Sequence, residues 1–335
     1  MSCKSLMIGV SVLAGLGAAA ADPAGNDAEL FGDRTENEHR LAGIFPPGVK
    51  TIACISPAAY PGSPLHRRGV ELLKKSGYRI KVMPHAFDPP EPGKPYAPLA
   101  GRLADFYAAW NDPEVDMILC IRGGSGCMEL VKALDWQKLK PRRELYLQGY
   151  SAATQITSAM LRKGYGRPVA GPMCGSIAGL DPDCLREMKV MHHGEQVGPV
   201  PVTPMVPGDC AGLPFAGSLI QLSLIVTTDY CPDTTGRIIF IERVAGSPEK
   251  VREELHSLLE HGFFARAKAV VFGHFLRCGD PAKVDAVLKE FAPKVGIPVY
   301  RGFPYGHSGS CYTIDFSRPV EIKNNTVTFP AAGKK

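Results

Sequence analysis

Some signals are missing from this chain, and each absence removes a class of function. No run of Lys and Arg is dense enough to follow a phosphate backbone. The 38 basic residues against 33 acidic ones leave a charge of only +5 over 335 positions, so no nucleic-acid partner is expected. There is no internal repeat and no sustained heptad, which sets aside solenoid, collagen-like and coiled-coil architectures. C-x-x-C is absent, and Cys and His nowhere show zinc-ligand spacing, so neither a metal nor a cofactor is expected. Only one long apolar stretch occurs, at the N-terminus, and a multi-span membrane protein is excluded with it. What remains is 45% apolar and 21% charged residues, enough for a sizeable core in one large domain or two medium ones.

Residues 1–21 carry one basic residue (Lys4), an apolar run over 6–16, and the small-residue tail Gly17-Ala18-Ala19-Ala20-Ala21. This is the order of a secretory signal peptide cleaved after Ala19 or Ala21, and the apolar part is short for a bilayer span. The expectation is a periplasmic or secreted protein with no stable membrane insertion after signal removal; a retained anchor is the alternative. Ten cysteines in an exported chain would ordinarily suggest disulfides. Cys54 and Cys120 lie in apolar strand-like runs and read as buried hydrophobes, whereas Cys184, Cys210, Cys231 and Cys278 sit in turn-rich sequence and could pair. His192-His193 reads as surface.

Residues 22–47 read as a mature N-terminal extension, polar and poorly ordered to about position 40. Over 48–196, apolar strand-like runs at 50–57, 78–83, 115–121, 145–150 and 169–170 alternate with helical patterns at 65–76, 99–111, 128–134 and 154–163. Continuous apolar strands separated by helices of about ten residues give βαβ units and a parallel sheet covered on both faces. Pro199, Pro201, Pro204 and Pro207 then exclude a helix, and 197–210 reads as an inter-domain linker. A mixed α/β domain follows at 211–330, with 219–226 open between helix and strand.

Four places could carry chemistry. In Gly149-Tyr150-Ser151-Ala152-Ala153-Thr154 a serine ends an apolar strand just before a helix, as in a nucleophile elbow, with small neighbours for the tight turn. An ordinary helix cap is the competing reading. Arg122-Gly123-Gly124-Ser125-Gly126 ends the preceding strand. Its glycines let backbone approach a ligand and present N–H donors, although no Gly-Lys-Ser/Thr makes it a P-loop; a plain tight turn is the alternative. Glu242 ends the apolar strand RIIFIE and either meets solvent at the sheet edge or accepts a hydrogen bond. His307 lies in the glycine-flanked loop Phe303-Pro304-Tyr305-Gly306-His307-Ser308-Gly309, where a lone His is commonly just solvated. Together they supply a nucleophile, an orienting carboxylate and a general base.

In that order and with similar spacing, the blocks ISP near Ile55, RGGSG at Arg122, GYS at Gly149, GPM at Gly171, the strand ending in Glu242 and GH at Gly306-His307 resemble the LD-carboxypeptidase family of serine peptidases, over about residues 48–325. The resemblance implies a parallel-sheet, flavodoxin-like N-terminal domain and a smaller β-rich α/β C-terminal domain, the active site at their boundary, and commonly a homodimer. It implies Ser151 as nucleophile, Glu242 as the acid, His307 as the base, and the backbone of Gly124 and Ala152 as the oxyanion hole. It implies a murein peptide substrate, trimmed of terminal D-Ala at the L-to-D linkage, with Arg122 and Ser125 as substrate-binding residues. Two departures stand out: Ala152 replaces the family's Asp after the nucleophile, and Ser125 replaces the Tyr of R-G-G-Y-G. An immunity-type peptidase cleaving a peptide–nucleotide or acyl-amide antibiotic, and a non-catalytic murein-binding relic, are the alternatives.

Overall fold

The computed structural model describes residues 40–333; residues 1–21, read above as a signal peptide, and most of the extension lie outside the described residues. The chain lays down β1 (Thr51–Ile55), β2 (Arg79–Val82), β3 (Met117–Cys120), β4 (Tyr146–Gln148) and β5 (Arg167–Ala170), with helices Pro64–Lys75, Leu99–Asn111, Cys127–Ala133 and Thr154–Lys163 between them. It continues through β6 (Val197–Pro201), β7 (Thr203–Val206), β8 (Cys210–Ser218), β9 (Arg237–Val244), β10 (Ala269–Leu276) and β11 (Val299–Arg301). It closes with β12 (Ile314–Asp315), β13 (Val320–Lys323) and β14 (Thr326–Phe329).

The first sheet is parallel in the order β2-β1-β3-β4-β5, the flavodoxin-like winding, with β12 antiparallel on the β5 edge. Its inner strands β1 and β3 are buried throughout because both faces are covered, whereas the edge strand β2 carries Arg79 and Lys81 and is only partly buried. On β1, Ile52 and Cys54 face one apolar cluster while Ala53 and Ile55 face the other. Burying such an aliphatic side chain contributes roughly 1.5–3 kcal/mol. The second sheet runs β6-β14-β13-β8-β9-β10-β11-β7. Strand β8 joins its two halves: Cys210–Gly212 pair antiparallel with β13, and Leu213–Ser218 pair parallel with β9. One continuous apolar cluster runs from beneath the first sheet into the second lobe, so the lobes share a core.

Several expectations are corrected. The proline-rich stretch 197–210 is not an inter-domain linker but contributes β6, β7 and the start of β8. Its prolines are tolerated because β6 and β7 are the two edges of the second sheet, where a missing N–H costs no ladder bond. The extension read over 22–47 ends earlier than expected, since Leu41, Ile44 and Phe45 are buried in the shared core. His192 is not surface: it is buried, its Nε2 lies 2.8 Å from Gln148 Oε1, and burial pushes its pKa down to about 3. Cys184, Cys210, Cys231 and Cys278 are free thiols, as are all nine described cysteines, while Cys54 and Cys120 are buried as expected.

Leu219–Ile225 resolves as a helix. After β11 the chain leaves the second sheet, crosses through 302–313, and re-enters the first as β12 beside β5. That crossing segment carries His307.

Candidate active site

Ser151 follows β4 and opens a short 3₁₀ turn, Ser151–Ala153, that leads into helix Thr154–Lys163. Its φ is +58°, a left-handed conformation that costs a non-glycine residue about 1–3 kcal/mol and persists only where the surroundings enforce it. The surroundings do so by close packing. A side chain at Gly149 would stand 2.7 Å from Ala153 Cβ, and one at Gly123 would stand 2.8 Å from both Cβ and Oγ of Ser151. The elbow expected from the small residues is therefore present, and the glycine loop after β3 is pressed against it.

The peptide between Gly123 and Gly124 has a fixed orientation. Ala59 N–H donates to Gly123 O at 3.2 Å, and in a trans peptide the next N–H points the opposite way. The Gly124 N–H thus faces away from the loop after β1. Gly124 is exposed with φ +102°, Ser125 is exposed at the loop tip, and Ala152 is buried beside the serine. Arg122 is half-buried, with Nη1 donating to Tyr60 O at 3.2 Å.

Glu242 is fully buried in β9, between β8 and β10 in the sheet interior, which overturns the solvent-exposed, sheet-edge reading. Its register partner on β8 is Ser218, whose N–H donates to Thr154 Oγ1 at 3.1 Å and so ties the strand end to the elbow helix. Glu242 Oε2 lies 2.7 Å from His307 Nδ1. The glycine before the histidine permits this approach: Gly306 has φ +130°, and a side chain there would stand 2.8 Å from Glu242 Cβ. On its other side the imidazole rests against Tyr150, ring centroids 4.9 Å apart, and Tyr150 immediately precedes Ser151. A continuous chain of contacts therefore links carboxylate, imidazole and elbow across the two lobes.

Burial sets the remaining electrostatics. The Tyr305 phenol, two residues before His307, is held well above its ordinary pKa by burial and by the Glu242 charge. Cys127, at the end of the glycine loop, is pushed up to about 12 by burial, which leaves it a thiol with no nucleophilic role. Among the described residues no cluster of His, Cys, Asp or Glu could hold a metal, and no helix is long and apolar enough to cross a membrane.

Reading the sequence misses three contributors. Tyr150 looks like a core aromatic, Thr154 like an ordinary first-turn residue, and Arg102 like one more charge on an amphipathic helix. For Arg102 the sequence offers no signal, because its main partners are backbone carbonyls, which have no sequence signature.

Comparison with known proteins bears on the whole arrangement. Residues 52–168 match the family model described as the LD-carboxypeptidase N-terminal domain, and residues 211–322 match the LD-carboxypeptidase C-terminal domain. Among relatives, the probable murein peptide carboxypeptidase of Bacillus subtilis is 26% identical over 77% of this chain and 83% of its own length. The murein tetrapeptide carboxypeptidase of Pseudomonas aeruginosa is 25% identical over 69% of this chain and 81% of its own. The crystal structure of muramoyltetrapeptide carboxypeptidase from Oxalobacter formigenes superposes with a TM-score of 0.72 at 25% identity, covering 84% of this chain and 100% of that one. An MccF-like protein from Bacillus anthracis superposes with a TM-score of 0.73 at 20% identity, covering 84% and 97%, a likeness of fold alone.

Proposed function

The chain belongs to the LD-carboxypeptidase family, and from that premise we propose that it is a serine carboxypeptidase releasing terminal D-Ala from murein tetrapeptides at the L-to-D amide bond. It is a hydrolase by its family, and relatives named as murein peptide and murein tetrapeptide carboxypeptidases support the substrate class. The observation that carries the residue roles is the 2.7 Å contact between His307 Nδ1 and Glu242 Oε2, with the same imidazole against Tyr150 at the serine elbow.

In this mechanism the Glu242 carboxyl group accepts from Nδ1–H, so Nε2 is the nitrogen that takes the Ser151 proton. Ser151 Oγ attacks the peptide carbonyl, and the N–H groups of Gly124 and Ala152 receive the oxyanion. The imidazolium then protonates the departing amine of D-Ala. Water, deprotonated by the same nitrogen, attacks the acyl-enzyme and frees Ser151. Ala152 in place of an acidic residue keeps the backbone donor, which is all this step asks of position 152. Arg122 supplies the cation for the substrate's terminal carboxylate, and Ser125 lines the approach at the loop tip.

The leader-like order of residues 1–21 supports action outside the cytoplasm, where murein is, and a homodimer is the assembly proposed. The test is release of D-Ala from a tetrapeptide by purified protein. Ser151→Ala should lower turnover on the order of 10⁶-fold while leaving the melting transition unchanged. Hydrolysis near the wild-type rate in that variant would remove Ser151 from the role. A preference for acyl-amides of nucleotides over tetrapeptides would move the substrate class instead.

A further inference from the structure

The glycine loop must hold its shape if a backbone N–H is to stabilise an oxyanion, yet glycine-rich backbone is the least self-supporting kind. What holds it is a side chain from another element. Arg102 lies one turn into helix Leu99–Asn111, with its side chain almost wholly buried (1% exposed). Its Nε donates to Ala97 O at 2.8 Å. Its Nη1 donates both to Pro57 O at 3.1 Å, in the loop after β1, and to Gly126 O at 2.8 Å, in the glycine loop. Its Nη2 pairs with Glu129, in the first turn of helix Cys127–Ala133. The guanidinium plane is covered by the Tyr96 ring, 4.7 Å from its centroid.

One planar fork therefore ties together the segments at the switch point between β1 and β3. The loop after β1 passes the constraint on: Pro57 is anchored by Arg102, and two residues later Ala59 N–H holds Gly123 O, which turns Gly124 N–H the other way. Gly126, two residues beyond Gly124, is anchored directly. The Gly124 peptide is thus braced from both sides through a single side chain that lies outside the expected triad and oxyanion residues.

We infer that Arg102 is a positioning residue for the oxyanion hole, fixing the Gly124 N–H by clamping the carbonyls of Pro57 and Gly126. The inference rests on the proposed serine mechanism and deepens it. A guanidinium fits because its rigid fork reaches several carbonyls at once, whereas an ammonium is a single point of donation. Lysine at 102 keeps the charge and the pairing with Glu129 but cannot reproduce the fork.

The experiment measures kcat and KM per active site titrated with a fluorophosphonate that labels Ser151. In Arg102→Lys, kcat per titrated site should fall about 10²-fold, as expected for a donor displaced by about an ångström, with KM within about threefold of wild type. A side chain that served folding alone would lower the number of titratable sites and leave kcat per site unchanged, and that result overturns the inference.

If Arg102→Lys does not fold, Glu129→Gln is read in the same way. It keeps the guanidinium but loosens its anchor, and should lower kcat per site by roughly tenfold at unchanged KM; an unaltered kcat per site overturns the inference there. Wild-type protein that titrates but releases no D-Ala defeats the murein reading alone, and the rate of phosphonate labelling then replaces kcat as the readout. Wild-type protein that does not titrate defeats both.

Discussion

The contact between Gly123 and Ser151 gives the most direct test of how the site is assembled. In Gly123→Ala the new methyl would stand 2.8 Å from both Cβ and Oγ of the serine. Carbon contacts are comfortable at about 3.5–4.0 Å, so one partner must retreat by roughly 0.7–1.2 Å. Gly123 does not sit in the left-handed region, so backbone strain is not what is being tested. Neither partner can retreat freely. The glycine loop is fixed by Ala59 N–H on Gly123 O and by Arg102 on Gly126 O, while Ser151 is held in a φ +58° turn against the end of β4.

A reacting group misplaced by about 1 Å typically costs on the order of 10²-fold in rate, and an extra methyl in a tight contact costs about 1–3 kcal/mol of stability. Gly123→Ala should therefore lower kcat for D-Ala release about 10²-fold, with KM within about threefold. Urea unfolding should show the accompanying 1–3 kcal/mol loss. A folded variant with kcat within about threefold of wild type would show that the loop and the elbow do not constrain each other.

Glu242→Gln is nearly isosteric but can no longer stabilise an imidazolium. It should lower kcat by roughly 10³–10⁴-fold, as loss of the orienting carboxylate does in serine triads, and a loss under tenfold would separate Glu242 from the proton transfer. His192 supplies a pH test remote from the chemistry. Its folded pKa, pushed by burial to about 3, lies below its unfolded value of about 6.5, so its contribution is complete above that value and is lost as pH falls. From pH 7 to 5 this one group should remove about 2 kcal/mol of stability. His192→Gln should flatten that slope in denaturant titrations, and an unchanged slope would show that the imidazole is not held neutral.

The parts of the site that could be read from sequence are those carried by local chemistry. Ser151 between an apolar strand and a helix, three glycines after β3, and an acid closing an apolar strand are each visible within about six residues. The first sheet was legible for a similar reason, since two-sided burial writes itself as unbroken apolar strands. What escaped depends on partners distant in the chain. His192 looked exposed because its partner, Gln148, is 44 positions away. Prolines 199, 201 and 204 look like a linker until β6 and β7 are known to be sheet edges. Arg102 goes unmarked in the sequence because backbone carbonyls, its main partners, have no sequence signature.

The least legible element has the largest consequence for the site. His307 is useful only where it meets Glu242 in one lobe and Tyr150 in the other, and the chain achieves this by crossing between sheets. That crossing is anchored at its far end by β12, a strand of two residues that pairs Ile314 with Ala170 and Asp315 with Val169. Asp315 also accepts from Arg167 at 3.4 Å and caps the following turn through Ser317. Two residues give no periodicity from which a strand could be inferred. Yet their register decides where 302–313 ends, and hence on which side of the two sheets the imidazole is held. The histidine's position is therefore a property of topology more than of its own motif: the same Gly-His on a loop confined to the second sheet would still find Glu242, but would have nothing to bring it against the serine elbow.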